Sequence, residues 1–229
     1  AITEPLKSQT AFHVIGGVEW LPLQDVRIRA EFFNKKYSDL VGQAFFPPGL
    51  NILDNRVKGY ANGVEISAIK ALSGKFAGQI SYSFINSKRT YSGSNFYAPS
   101  DFNRPHQFTA IGITRLFGIT LAAKYRLASG LPYDLRTPIL ISTNPNVFLQ
   151  RLARIEDKNA LKLPRYSNLD FRVEKKFDFK RWSIAPYLDM FNVFASDNKS
   201  EVNYEFNRRN PVLLGENARL PILGVRVEF

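Results

Sequence analysis

The sequence predicts an all-β fold: an antiparallel, up-and-down transmembrane β-barrel of about nine long strands, represented by an incomplete, open barrel segment. Three observations carry that expectation. Apolar and polar residues alternate with period two over most of the chain, and β-branched and aromatic residues fill the apolar positions. The alternating segments are long, most of them at or above the roughly 9–11 residues that cross a membrane at a tilt. Strands of soluble domains average only about 5–6 residues. Finally, short and long connections follow one another strictly along the chain, as the two ends of a transmembrane barrel require.

The elements follow in order. Alternation marks Thr10 to Leu21, Val26 to Tyr37 and Gly59 to Leu72. Phe76 to Phe84 places Phe76, Gly78, Ile80, Tyr82 and Phe84 opposite Ala77, Gln79, Ser81 and Ser83. His106 to Leu116 has no clear face, because Ile111 and Ile113 oppose Phe108 and Ala110. Ile119 to Leu127 sets Ile119, Leu121, Ala123, Tyr125 and Leu127 against Thr120, Ala122, Lys124 and Arg126. Tyr166 to Phe177 has the cleanest pattern, Leu169, Phe171, Val173 and Phe177 against Asn168, Asp170, Arg172, Glu174 and Lys176, interrupted only by Lys175. Trp182 to Phe194 contains Pro186, which cannot donate to a ladder, so a bulge or an unpaired position is expected there. Leu220 to Phe229 closes the series.

Four connections are tight: Pro22 to Asp25, Ser73-Gly74, Phe117-Gly118 and Asp178 to Arg181. Four are long: Gly42 to Lys58, Ser92 to Pro105, Gly130 to Arg165 and Ala195 to Arg219. The last strand leaves a long loop, so Phe229 falls at the short-turn end and Ala1 at the other. A complete single-chain bacterial barrel has an even strand count. Nine strands therefore imply N-terminal strands beyond this sequence, with residues 1–229 as one C-terminal barrel segment.

Composition narrows the function classes. The 229 residues include no Cys, one Met and two His, with a formal charge of +11. Without Cys there is no disulfide scaffold and no thiolate metal site. No run of some 18 apolar residues encodes a transmembrane helix. Mean hydropathy is slightly negative, as a barrel allows when only alternate residues meet lipid. Lys and Arg are scattered among Asp and Glu without a block, so no nucleic-acid footprint is expected. Aromatic residues cluster at strand ends. Trp20, Phe76, Phe117, Phe177, Trp182 and Phe229 mark the short-turn end, and Phe12, Phe32, Tyr37, Tyr60, Phe84, Phe108, Tyr125, Tyr166 and Phe194 the long-loop end. Paired girdles of this kind flank the apolar band of outer-membrane barrels.

A set of short motifs resembles the C-terminal barrel of TonB-dependent receptors over nearly the whole chain. Asn62-Gly63-Val64-Glu65-Ile66-Ser67 is similar to the family's Gly-x-Glu strand opening. Asp101-Phe102-Asn103-Arg104-Pro105-His106 resembles its Asp-x-Arg-His step, with Pro105 inserted. Ser129-Gly130-Leu131-Pro132-Tyr133 is similar to its Ser-Gly-x-Pro-Tyr motif. Tyr166 to Asp170 resembles its Tyr-x-x-Leu-Asp strand, and Tyr187 to Phe194 its Asn-Leu-Phe strand. At the C-terminus Gly224, Val227 and Phe229 resemble the signal read by the barrel-assembly machinery, although Ile222 stands where a polar residue is preferred.

The resemblance implies a bacterial outer-membrane receptor for active uptake of a scarce nutrient such as an iron chelate, cobalamin or an oligosaccharide. It implies a plug domain and the TonB complex as partners, supplied outside residues 1–229, and outer-membrane lipid with lipopolysaccharide around the barrel. A passive porin-like barrel and a soluble β-rich carbohydrate-binding module are the alternatives.

No catalytic constellation, cofactor site or metal site is expected. His13 and His106 are far apart without an acidic cluster, and no Ser lies in an elbow motif. The polar faces carry Glu19, Arg27, Arg29, Glu31, Glu65, Lys124, Arg126, Asp170, Arg172, Glu174, Lys176, Arg226 and Glu228, which are expected to pair across strands. The best ligand-contact candidate is the Gly130 to Arg165 loop, with Arg136, Arg151, Arg154 and Lys158, a cationic stretch that attracts anionic ligands or, equally, lipopolysaccharide phosphates at the outer leaflet.

Overall fold

The structure, a computed structural model, describes residues 5–45, 51–91, 94–140, 150–154, 158–204 and 211–229, and at 43–45, 51–52, 137–140 and 150–154 the backbone alone. Nine long strands form one antiparallel sheet: β1 (Thr10–Leu23), β2 (Val26–Phe45), β3 (Asn51–Ser73), β4 (Phe76–Arg89), β5 (His106–Leu116), β6 (Ile119–Ala128), β7 (Tyr166–Lys175), β8 (Ser183–Phe191) and β9 (Leu220–Glu228). Each pairs with its neighbour in sequence, without a crossover. Among the described residues β1 and β9 are not paired with each other, so the sheet is open.

Register divides the sheet into two faces, because directly opposed residues share a side. One row runs Glu19–Arg29–Ser67–Ser81–Thr109–Arg126–Asn168 across seven strands and is polar throughout. The neighbouring row on the other face runs Trp20–Ile28–Ala68–Ile80–Ala110–Tyr125–Leu169 and is apolar throughout apart from its ring edges. Ile80 and Phe171 are exposed, and Ile119, Leu121, Leu169 and Val173 are half-exposed. Among the described residues the buried apolar ones are few, Phe33, Val57, Ala128, Leu163 and Ala185. They form no core between two sheets, so a soluble sandwich is not what this chain builds.

The pairing resolves the ambiguous strand. Phe108 and Ala110 lie on the apolar face, whereas Ile111 opposes Gln79 and Lys124 on the polar one. Lys175, which interrupts the apolar face of β7, sits at its turn end and donates to Phe117 O at 2.8 Å. Pro186 breaks the ladder without shifting it. Glu174 opposes Tyr187 and Phe177 opposes Ile184 in one register, with an unpaired gap between them. On the other side Pro186 opposes Val225 in an unbroken ladder with β9.

All six aromatics of the short-turn end are exposed, and Phe179 stacks on Trp182 with centroids 4.4 Å apart. The long-loop set is mixed: Tyr37 and Tyr166 stand on the polar face, opposite Gly59 and Ala128. The long connections also hold more structure than their composition suggests. The Gly42 to Lys58 stretch is largely strand, because β2 and β3 run on in paired extension with two register shifts. Two others carry short hairpins, Pro132–Tyr133 with Leu161–Lys162, Arg136–Leu140 with Gln150–Arg154, and Asn198–Asn203 with Val212–Glu216, and in the Ser92 to Pro105 connection Ala98–Pro99 pairs back onto β4.

Candidate functional site

The long-loop end is held by a polar cluster centred on two buried residues, Asp134 and Asn159, 5% and 2% exposed. Asp134 directly follows the Ser129 to Tyr133 motif. Its Oδ1 accepts the Asn159 backbone N–H at 2.8 Å, and its Oδ2 takes Arg136 at 3.2 Å and Lys158 at 3.4 Å. The Tyr204 hydroxyl donates to its backbone carbonyl. The Asn159 amide donates to Asp101 Oδ1 at 2.8 Å, Pro99 O at 2.8 Å and Tyr91 Oη at 3.2 Å. Asn159 does this at a φ of 59°, in the left-handed region that Asn tolerates better than most residues. Three of the long connections thus meet on these two residues.

The sharp approach of these segments explains the motif's glycine. A Cβ on Gly130 would lie 1.7 Å from Leu163 O, in the path of the loop's return strand. Electrostatics follow from burial and partners. Burial pushes the Asp134 and Asp101 carboxyls up, but the Asn159 hydrogen bonds and the Lys158 charge outweigh it, and both are held below the ordinary value of 3.8. Burial, reinforced by Asp101, raises the Tyr91 hydroxyl.

Two of the four loop cations, Arg136 and Lys158, therefore have internal partners. Arg136 and Lys158 are ion-paired to Asp134, Lys158 also to Asp101 at 3.2 Å. The Arg151 and Arg154 side chains lie outside the described residues. Below the cluster, at the mouth of the polar face, Arg104 and Arg126 stand over the Tyr166 ring at 5.7 and 5.6 Å. Arg104 Nε is buried without a hydrogen-bond partner among the described residues, and burial followed by the Arg126 charge lowers its pKa. The composition of the loops gave no sign of this pair, since the two residues sit 22 positions apart on either side of a hairpin. Among the described residues no group of three His, Asp or Glu is placed to hold a metal ion.

The polar face itself carries a cleft of about 340 Å³ lined by Arg29, Glu31, Glu65, Ser81 and Thr109 among others. Nearer the short turns, Glu174 accepts from Arg172 at 2.9 Å and Arg226 at 2.7 Å, and Arg172 also pairs with Asp189 at 3.0 Å. Arg172 lies 4.0 Å from the Tyr187 ring centroid. A Cβ on Gly224 would lie 2.3 Å from that same ring, so Gly224 has a packing reason independent of any assembly signal. Val227 opposes Ile184, and Phe229 is fully exposed at the end of the sheet.

One open sheet with an apolar and a polar face, tight turns at one end and knotted loops at the other, defines a segment of an outer-membrane β-barrel. The family model described as TonB dependent receptor-like, beta-barrel, matches residues 1–193, and the chain belongs to that family. Its place is the bacterial outer membrane. The fold is similar to the FrpB iron transporter of Neisseria meningitidis (TM-score 0.63, 15% identity, 98% of this chain and 32% of that one). It is also similar to the ferric-catecholate import receptor Fiu of Escherichia coli K12 (0.61, 15%, 96% and 28%). A third similar structure is the ferric yersiniabactin uptake receptor FyuA of Yersinia pestis (0.58, 16%, 96% and 29%). The chain thus spans about a third or less of these structures. No curated protein matches the sequence.

Proposed function

We propose that this sheet is the C-terminal barrel segment of a receptor that takes up a scarce anionic nutrient complex, with the polar face as the lumen wall. What carries the reading is the polar row that continues from β1 to β7 in a chain of this receptor family. The mouth offers two guanidiniums, Arg104 and Arg126, on one tyrosine ring. Two positive charges about one ring, the Arg126 charge acting on Arg104, are relieved by a bound anion. The similar structures include receptors for ferric catecholates and ferric yersiniabactin, and an iron chelate of net negative charge fits the pair. A plug domain docking on the polar face and energy from the TonB complex complete the reading. The C-terminal Gly224, Val227 and Phe229 lie on the free edge strand, where an assembly machine can add by main-chain pairing.

The test is uptake by cells carrying the complete receptor, with and without TonB. Accumulation of a ferric chelate is expected to require TonB and to fall about tenfold in Arg126→Gln, the loss of one charge-assisted contact. Accumulation that persists without TonB would replace this reading with a passive porin-like barrel.

A further inference from the structure

The polar face of the sheet is unevenly charged, and the unevenness follows the strands. From Ser87 down to Ala77 on β4, and from Gln107 down to Ile113 on β5, no residue on that face carries a charge. The two strands run side by side, with Ser83 opposite Gln107, Ser81 opposite Thr109 and Gln79 opposite Ile111. Ser87 to Ala77 is ten residues of β4, about 34 Å along a strand. At a strand tilt of about 40° that is about 26 Å of height, enough to cross the roughly 25 Å apolar band. The cleft of about 340 Å³ lies in the upper part of this lane. The side chains of Gln79, Ser81, Ser83, Gln107 and Thr109 that line it make no hydrogen bond among the described residues, so their hydroxyls and amides are open to whatever enters.

Charge begins at both borders of the lane. On β3, Glu65 opposes Ser83, with Glu31 beyond it. On β6, Arg126 opposes Thr109 and Lys124 opposes Ile111. Arg104 stands with Arg126 at the mouth, over the same Tyr166 ring, and Arg115, opposite Thr120, ends the lane beside the short turn. None of these four cations is ion-paired among the described residues. Asp170, which opposes Lys124 on β7, takes the Asn168 amide at 2.7 Å and the Asn192 backbone N–H at 3.1 Å instead. Further round the wall the cations are locked, Arg172 and Arg226 with Glu174, and Lys176 with Asp178 and Glu228.

We propose, on the reading of the polar face as lumen wall, that β4 and β5 form the lane along which the anionic chelate passes from the mouth towards the short turns, with Arg126, Lys124 and Arg115 as successive binding stations along its border. Arg126 and Lys124 are two residues apart on β6, about 7 Å along a strand, so an anion moves from one to the next without leaving the wall. Passage needs sites that attract a ligand enough to admit it and hold it weakly enough to release it. Unpaired cations supply the attraction. The hydroxyls and amides of the lane supply hydrogen bonds that exchange one at a time, and no carboxylate stands within the lane to repel the ligand. The charged wall on either side is left for the plug.

The test uses the complete receptor in cells, with Thr109→Cys as its single reactive thiol; residues 1–229 contribute no native Cys. A negatively and a positively charged methanethiosulfonate reagent of similar size are compared, each normalised to its rate on a free thiol. The negative reagent is expected to label Thr109→Cys at least about tenfold faster. Arg126→Gln with Lys124→Gln should remove that preference, and Arg126→Lys with Lys124→Arg should keep it. In the uptake assay, Gln79→Trp should stop accumulation of the ferric chelate while its binding to the cell surface persists, and Ile80→Trp on the lipid face should change neither. Heat-modifiable migration reports folding, and where Gln79→Trp does not fold the labelling alone decides. A Thr109→Cys closed to both reagents is a wall covered by the plug, and that result, equal labelling by the two reagents, or full uptake in folded Gln79→Trp overturns the lane. The labelling needs no nutrient, so these failures are separate from TonB-independent uptake, which overturns the reading of the protein as a receptor.

Discussion

Asn159 gives its two amide protons to three part-buried acceptors, Asp101, Pro99 and Tyr91, so truncating its side chain leaves these short of a donor while the backbone N–H to Asp134 stays. Each unsatisfied buried group costs about 1–3 kcal/mol. Asn159→Ala is expected to release the loop end without unfolding the sheet. Hydrogen exchange should rise at 94–103 and 130–136 and stay unchanged in β2 to β4; uniform loosening throughout would contradict a local role. The same cluster sets a pH response. Asp101 and Asp134 are held below their ordinary 3.8 in the folded state. A depressed carboxyl contributes stability that is fully present above the unfolded value and is lost as the pH falls through the folded one. Loop-end protection should therefore be constant from neutral pH down to about pH 5 and decline below about pH 4. In Asp134→Asn that acid decline should shrink.

At the scale of the strand, the two faces differ in what they tolerate. Ile80 lies mid-band on the lipid side and Ser81, its neighbour, on the polar side. A lysine at a lipid-facing midplane position costs about 2–4 kcal/mol. Ile80→Lys should lower the unfolding midpoint of the complete barrel in urea, and Ser81→Lys should change it little; equal effects would mean that the faces are misassigned. The faces were readable beforehand wherever alternation was strict, as in β6 and β7, because period two maps directly onto sidedness. They were not readable in β5, where Ile111 and Ile113 face the lumen and only the register with Gln79 and Lys124 reveals it. The six short-turn aromatics were legible from their place at strand ends. Tyr166 was not, since a ring under two guanidiniums and a ring in the lipid interface leave the same mark on a single sequence. Likewise the Gly42 to Lys58 stretch reads as loop by its Pro and Gly content, yet pairing with a partner strand carries it on as β2 and β3. Asp134 and Asn159 carried no signal of their own, because they lie 25 positions apart and are joined only by the return of a long loop.

For the whole molecule, the direction of the two edge strands limits how a barrel can close. β1 and β9 both run from the loop end to the turn end, because nine strands alternate between them. Antiparallel closure needs neighbours that run in opposite directions, so a barrel closed in that way would take an odd number of further strands between β9 and β1. Left open, each edge presents a row of unpaired N–H and C=O groups. In hydrocarbon these cost several kcal/mol apiece, and in water they template aggregation. Residues 1–229 expressed by themselves are thus expected to give aggregate or an unfolded band in detergent, without heat-modifiable migration. The complete receptor should show that migration and, by strand counting in its own structure, an even total in which Val225 and Val227 face a strand running from turn end to loop end. A stable nine-stranded barrel from residues 1–229, with β9 pairing in parallel along β1 near Val14, would refute the argument. It would show that main-chain closure can be reached by these nine strands alone, at the cost of one parallel seam.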